Sequence, residues 1–159
     1  MSMKEQMETG KVFIEFGHAS EEDQAYEKLL DERRRRSKSL CFQYNQTDPM
    51  NEEQRGKLIR ELLGGAGKTP WLETPIHFAY GCNTTVGDHF YSNFNLTIVD
   101  DVSVTIGKNS VIGAGSVVTR DIPANVVAFG TPCRVIRPIT DEDLETIRPG
   151  ATINKDWNL

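Results

Sequence analysis

Three histidines, His18, His77 and His89, carry the side chains of this chain that ordinarily titrate near neutral pH, so a search for a general base starts with them. Two stretches hold residue types that bind phosphate. Gly64-Gly65-Ala66-Gly67-Lys68-Thr69 ends like a phosphate loop. That loop needs a glycine five residues before Gly67, where Leu62 stands, and it follows a strand, whereas the pattern here follows a helix. A flexible helix-to-coil link is the expectation instead. Arg33-Arg34-Arg35-Arg36 comes after Glu21, Glu22, Asp23, Glu27, Asp31 and Glu32. Cations toward the C-terminal end of a helix suit its dipole. The run therefore reads as a solvated helix end, with one arginine facing a ligand as the alternative. Cys41, Cys82 and Cys133 are odd in number, scattered and without CxxC spacing, which predicts reduced structural thiols in a cytoplasmic protein.

The elements that position these residues are read from periodicity. Ile106, Ile112 and Val118 stand six apart, and Gly107, Gly113 and Thr119 follow them. A period of six fits neither a helix nor an ordinary strand. It fits a parallel β-helix with triangular coils of about eighteen residues and one aliphatic at each inward corner. The small residue is expected to let the backbone turn that corner. The pattern begins after Pro70 and Pro75 and includes Val86-Gly87 and Ile98, with slips between 86 and 106. The first seventy or so residues read as helices. Ser20 caps one, with Tyr26, Leu29, Leu30 and Arg33 on a common face, and Asn51 precedes another that Gly64 ends. Thr140 begins a short acidic helix. The expectation is thus a mainly β protein: an N-terminal helical cap over 1–70, β-helix coils over 71–139, and a C-terminal helix and tail over 140–159.

The totals set bounds. The chain has 159 residues, 38% hydrophobic and 26% charged, with a net charge of −5, which argues against nucleic acid as a partner. No apolar stretch approaches membrane-spanning length, and the first twenty residues hold Lys4, Glu5, Glu8, Lys11 and Glu15 rather than a signal peptide's apolar core.

Four segments resemble a known family. They are Phe90-Tyr91-Ser92-Asn93-Phe94-Asn95-Leu96-Thr97-Ile98-Val99-Asp100-Asp101, Val104-Thr105-Ile106-Gly107, Gly113-Ala114-Gly115-Ser116-Val117-Val118-Thr119 and Val126-Val127-Ala128-Phe129-Gly130-Thr131-Pro132-Cys133-Arg134-Val135-Ile136-Arg137. They are similar to the signatures of the galactoside and maltose O-acetyltransferases, which are hexapeptide-repeat acyltransferases. The resemblance implies a left-handed β-helix, a homotrimer with each active site between two subunits, and acetyl transfer from acetyl-CoA to a sugar hydroxyl, with no metal required. It implies acceptor-side roles for Glu15, Tyr91, Asn93 and Asp101, Asn93 being the transition-state stabiliser. An Asn amide can donate to a developing oxyanion. Glu15 stands where the family has Asp, and Ala79 where it has Ser. Ala114, Thr119, Arg120, Arg134 and Arg137 match CoA-binding positions, and guanidinium pairs with phosphate as a fork.

One family part has no counterpart here. Its catalytic base is a His in a Thr-or-Ala-x-His-Pro stretch, and none of His18, His77 and His89 lies in such a motif. His77 and His89 read as coil-face or subunit-interface side chains. Compared with typical members, about three coils of about eighteen residues are missing from the middle. That shortens the prism by roughly 14 Å and mismatches a pantetheine arm of fixed length. The sequence therefore predicts an acetyltransferase relative with little or no activity. The alternatives are a non-catalytic trimeric scaffold, a CoA- or sugar-binding remnant, or the product of a repeat deletion. A γ-type carbonic anhydrase needs three zinc-binding histidines, and only two lie among the coils.

Overall fold

The computed structural model describes residues 1–147, 149 and 150; residue 148 and the expected tail over 151–159 lie outside them. Three helices come first, and each starts from a polar cap. In α1 (Met3–Glu8) the Ser2 hydroxyl accepts from the Glu5 N–H while the Glu5 carboxylate accepts from the Ser2 N–H. Ser20 caps α2 (Glu21–Gln46), whose first turn is acidic. Asn51 caps α3 (Glu52–Leu62) by accepting from the Gln54 N–H.

Three coils of short strands follow. The first is β1 (Gly65–Ala66), β2 (Trp71–Leu72) and β3 (Ile76–Phe78). The second is β4 (Thr84–Val86), β5 (Tyr91–Ser92) and β6 (Leu96–Ile98); the third is β7 (Val104–Ile106), β8 (Val111–Ile112) and β9 (Val117–Val118). They stack in parallel as a three-turn left-handed β-helix. β10 (Val126–Phe129) pairs in parallel with β8, and β11 (Arg134–Pro138) folds back antiparallel on β10. α4 (Asp141–Ile147) ends the described chain. Gly65–Ala66 is thus the first rung of the helix, paired with Thr85 and Val86, and not the flexible link expected there.

The coil is longer than the eighteen residues expected. Thr84 pairs with Val104, Tyr91 with Val111 and Thr97 with Val117, a repeat of twenty. The two extra residues sit at one corner, between Phe78 and Val86 and again between Ile98 and Ile106, which explains the slips in the six-residue pattern. Asp100 holds this wide corner. Its buried carboxylate accepts from the Tyr80 N–H at 2.8 Å and the Thr84 hydroxyl at 3.0 Å, and its carbonyl accepts from the Asn83 amide at 2.8 Å. Burial pushes the Asp100 carboxyl above the ordinary range, against these hydrogen bonds. The last return is shorter: Val111 pairs with Val127 across sixteen residues.

Inward side chains stack in columns: Leu72, Ser92, Ile112 and Ala128 in one, Phe78, Ile98 and Val118 in another, Val86, Ile106 and Ile122 in the third. Ser92 interrupts the first, and its buried hydroxyl has no partner among the described residues. The corner glycines are needed for a reason other than turning. Gly87 and Gly107 have no positive φ; a Cβ on Gly107 would lie 2.3 Å from the Ala124 nitrogen and one on Gly87 2.4 Å from that of Lys108. The next coil's backbone occupies that space.

The first coil presents an open edge that needs cover. α2 and α3 supply it with side chains in place of a strand. The Asn45 amide accepts from the Ile76 N–H and donates to the Ile76 carbonyl, as a further rung would. Tyr44 and Arg55 donate to the Leu72 carbonyl and Ser37 to that of Phe78. No helix among the described residues is long and apolar enough to cross a membrane.

Candidate functional site

The acceptor- and cofactor-type residues fall on two edges of the prism. One edge follows β5, β8 and β10. Here the Asn93 N–H donates to the Ile112 carbonyl at 2.8 Å, and the Gly115 N–H donates to the Phe94 carbonyl at 2.8 Å. Asn93 and Ala114 therefore occupy adjacent coils, about 4.8 Å apart along the axis. The Asn93 side-chain oxygen accepts from the Phe94 N–H at 2.8 Å, which leaves the amide NH2 without a partner among the described residues. That arrangement presents donors, the polarity an oxyanion needs. Tyr91 lies on the same coil face as a half-buried phenol, raised by burial and by the Glu73 charge.

The other edge is the wide corner. Ala79, Asp101, Thr119 and Arg120 follow β3, β6 and β9 on successive coils, with Thr119 and Arg120 exposed. Glu15 reaches this edge from the N-terminal segment. It pairs with Arg34, which also donates to the Tyr80 hydroxyl at 2.6 Å and lies 5.3 Å from the centre of its ring. Burial raises the Tyr80 phenol, and the Arg34 hydrogen bond offsets part of that. Asp101 is half-buried and borders a cleft of about 470 Å³. Two arginines matched to CoA already have partners. Arg134 donates to the Cys133 carbonyl at 2.8 Å, and Arg137 to the Pro138 carbonyl at 3.0 Å and the Asp143 carboxylate at 2.8 Å.

The structure thus brings Tyr91 and Asn93 to one edge with Ala114, and Glu15, Ala79 and Asp101 to another with Thr119 and Arg120. The β3–β6–β9 sheet separates the two edges. Arg34, Tyr80 and Asp100 are parts of the second edge that the sequence reading left out. Only the arginine run and the slips between 86 and 106 hinted at them.

No histidine shares a hydrogen bond with these residues. His18 is held by Glu27, with Nδ1 at 2.6 Å from the carboxylate. His77 is exposed on β3, beside Thr97. His89 contacts the Thr69 hydroxyl at 2.7 Å, at the third corner. His77 and His89 therefore lie on different parts of the prism, which does not build a shared zinc site.

Residues 23–67 match the maltose acetyltransferase hexapeptide capping motif. The galactoside O-acetyltransferase of Escherichia coli K12 is 36% identical over 197 aligned positions, taking in 90% of this chain and 92% of that one. A solved galactoside acetyltransferase in complex with coenzyme A superimposes with a TM-score of 0.63 at 35% identity, covering 91% of this chain and 94% of that one. A maltose O-acetyltransferase from Clostridium difficile 630 gives 0.53 at 30% identity, covering 87% and 98%. Nine-tenths of 159 residues cannot fill 197 positions; about fifty are empty on this side, the length of roughly three turns. The capping motif, the coils and these relatives agree: the chain belongs to the galactoside and maltose O-acetyltransferases.

Proposed function

We propose that this chain binds coenzyme A and a carbohydrate as an acetyl-CoA-dependent sugar O-acetyltransferase does, and that it transfers acetyl slowly or not at all. The family reaction is direct attack of a sugar hydroxyl on the thioester carbonyl. Asn93 would donate to the oxyanion, Tyr91, Asp101 and Glu15 would hold the acceptor, and Arg120, Arg134 and Arg137 would take the phosphates of CoA, with Ala114 and Thr119 beside them. Arg120 has no partner among the described residues and is ready for an anion; Arg137 would exchange Asp143 for one. Because the acceptor-type residues lie on two edges, a complete site would join edges of two chains, which favours a homotrimer. Reduced thiols fit a cytoplasmic protein.

One observation carries the reading of low activity: Asn93 is a single coil from Ala114, and no imidazole stands beside either. A sugar hydroxyl is a poor nucleophile without a base, and an extended pantetheine arm does not fit one coil spacing. Calorimetric titration of the full chain with CoA and with sugars, run beside an acetylation assay, tests the proposal. Binding without turnover is the expected result. Turnover at ordinary enzyme rates would overturn it, and absence of all binding would leave a non-catalytic scaffold.

A further inference from the structure

The four arginines of α2 meet different surroundings. Arg34 pairs with Glu15 and Tyr80, Arg35 with Asp31 at 2.7 Å, and Arg36 donates to the Glu61 carbonyl at 2.5 Å. Arg33 has neither a hydrogen bond nor an ion pair among the described residues. It is half-buried and lines the 470 Å³ cleft between α1, α2 and the wide corner that carries Asp101.

The helix face shared by Tyr26, Leu29, Leu30 and Arg33 is divided here. Leu30 is buried at 2% exposure, whereas Tyr26, Leu29 and Arg33 line the cleft, and Leu29 is 38% exposed. Facing them, Asp101 and Ser103 also lack partners among the described residues, as does the Tyr26 hydroxyl. Arg33 and Asp101 border the same space without forming an ion pair. The cleft therefore offers one unspent guanidinium, one unspent carboxylate, two hydroxyls and an apolar wall, and its remaining charges, Lys4 and Glu8, are paired with each other at 3.9 Å. Its volume is in the range that holds a small ligand.

We propose that this cleft binds a small anionic sugar, with Arg33 gripping its carboxylate or phosphate. A guanidinium fork matches either group bidentately. Asp101 accepts hydrogen bonds from the sugar hydroxyls, Ser103 and Tyr26 supply hydroxyls that donate or accept, and Leu29 covers the C–H face of the ring. The assignment rests on the reading that the Asp101 edge receives the carbohydrate, and it deepens that reading by setting the charge of the ligand.

The test is calorimetric titration of the full chain, without CoA, with D-glucuronate, D-glucose 6-phosphate, D-glucose and D-glucosamine. At least one anionic sugar is expected to bind about tenfold or more tightly than glucose, the scale of a charge-assisted contact. Which one distinguishes carboxylate from phosphate recognition. Arg33→Gln should bring the anionic sugars to the level of glucose and leave glucose unchanged. Arg35→Gln removes the same charge outside the cleft and should change nothing. Equal affinity for all four sugars, a preference for glucosamine, or an anionic preference that survives in Arg33→Gln would each overturn the proposal. If neutral sugar still binds and Asp101→Asn weakens it, the acceptor reading stands while the anionic one falls; if no sugar binds, both fall.

Discussion

Replacing Gly107 by alanine tests whether coil stacking, rather than corner geometry, demands a glycine. Gly107 has no positive φ, so alanine suits its backbone. Its Cβ, however, would lie 2.3 Å from the Ala124 nitrogen and 2.5 Å from the Ala124 Cα, both backbone atoms of the next coil. Ordinary contact begins near 3.4 Å, so the coils must part by about 1 Å against a rung spacing of about 4.8 Å. That strains the bond from the Gly107 N–H to the Ile122 carbonyl, now 2.8 Å. Overpacking and the strained bond together predict a loss of about 3–4 kcal/mol. Gly115 is the matched control. Its φ is +69° and nothing lies within 4 Å of its added Cβ. Gly115→Ala meets only the left-handed penalty of about 1–2 kcal/mol, less about 0.4–1 kcal/mol through the unfolded chain, a net loss of about 1 kcal/mol. Urea unfolding followed by circular dichroism at equal slope would separate the two variants by about 2 kcal/mol. A Gly107→Ala loss no larger than that of Gly115→Ala would refute the stacking argument.

Ser92→Ala should raise stability by about 1 kcal/mol, since relief of an unpaired buried hydroxyl outweighs the loss of one atom's packing; a lower Tm for the variant would contradict this. Asp100→Ala should cost about 2–3 kcal/mol, because the Tyr80 N–H and Thr84 hydroxyl lose their acceptor, while Asp100→Asn keeps one. The folded Asp100 carboxyl titrates above its ordinary 3.8, so its favourable contribution is present at low pH and lost as pH rises through the folded value. Denaturation across that range should therefore show wild type losing stability relative to Asp100→Asn as pH rises. The Arg137 hydrogen bond holds the Asp143 carboxyl at about 2, so the stabilisation it gives to the start of α4 is present above 3.8 and fades as pH falls through 2. In Arg137→Gln, a carboxyl NMR titration should find Asp143 moved up toward 3.8, and an unmoved value would remove Arg137 as the cause.

Periodicity determined the architecture of this chain. Ile106, Ile112 and Val118, with the small residues after them, specify an inward corner every sixth residue whatever surrounds them, because each aliphatic has only the prism interior to enter. Ser20 and Asn51 marked the helix starts for an equally local reason, the unpaired N–H groups of a first turn. The motifs pointed to candidate acceptor and cofactor residues, and none of the three histidines falls in the family's Thr-or-Ala-x-His-Pro stretch. Other features depended on partners distant in the sequence. The coil of twenty residues follows from Asp100 holding Tyr80 and Thr84, a contact no local pattern encodes. Whether Gly65–Ala66 is a link or a strand depends on Thr85 and Val86 lying alongside. The four arginines are alike as sequence; Glu15, Tyr80, Asp31 and the Glu61 carbonyl claim three of them and leave Arg33 to the cleft. Local propensity and burial can be read along one dimension, whereas the pairing of charges and the fit of one coil on the next exist only where the folded chain brings distant residues within a few ångströms.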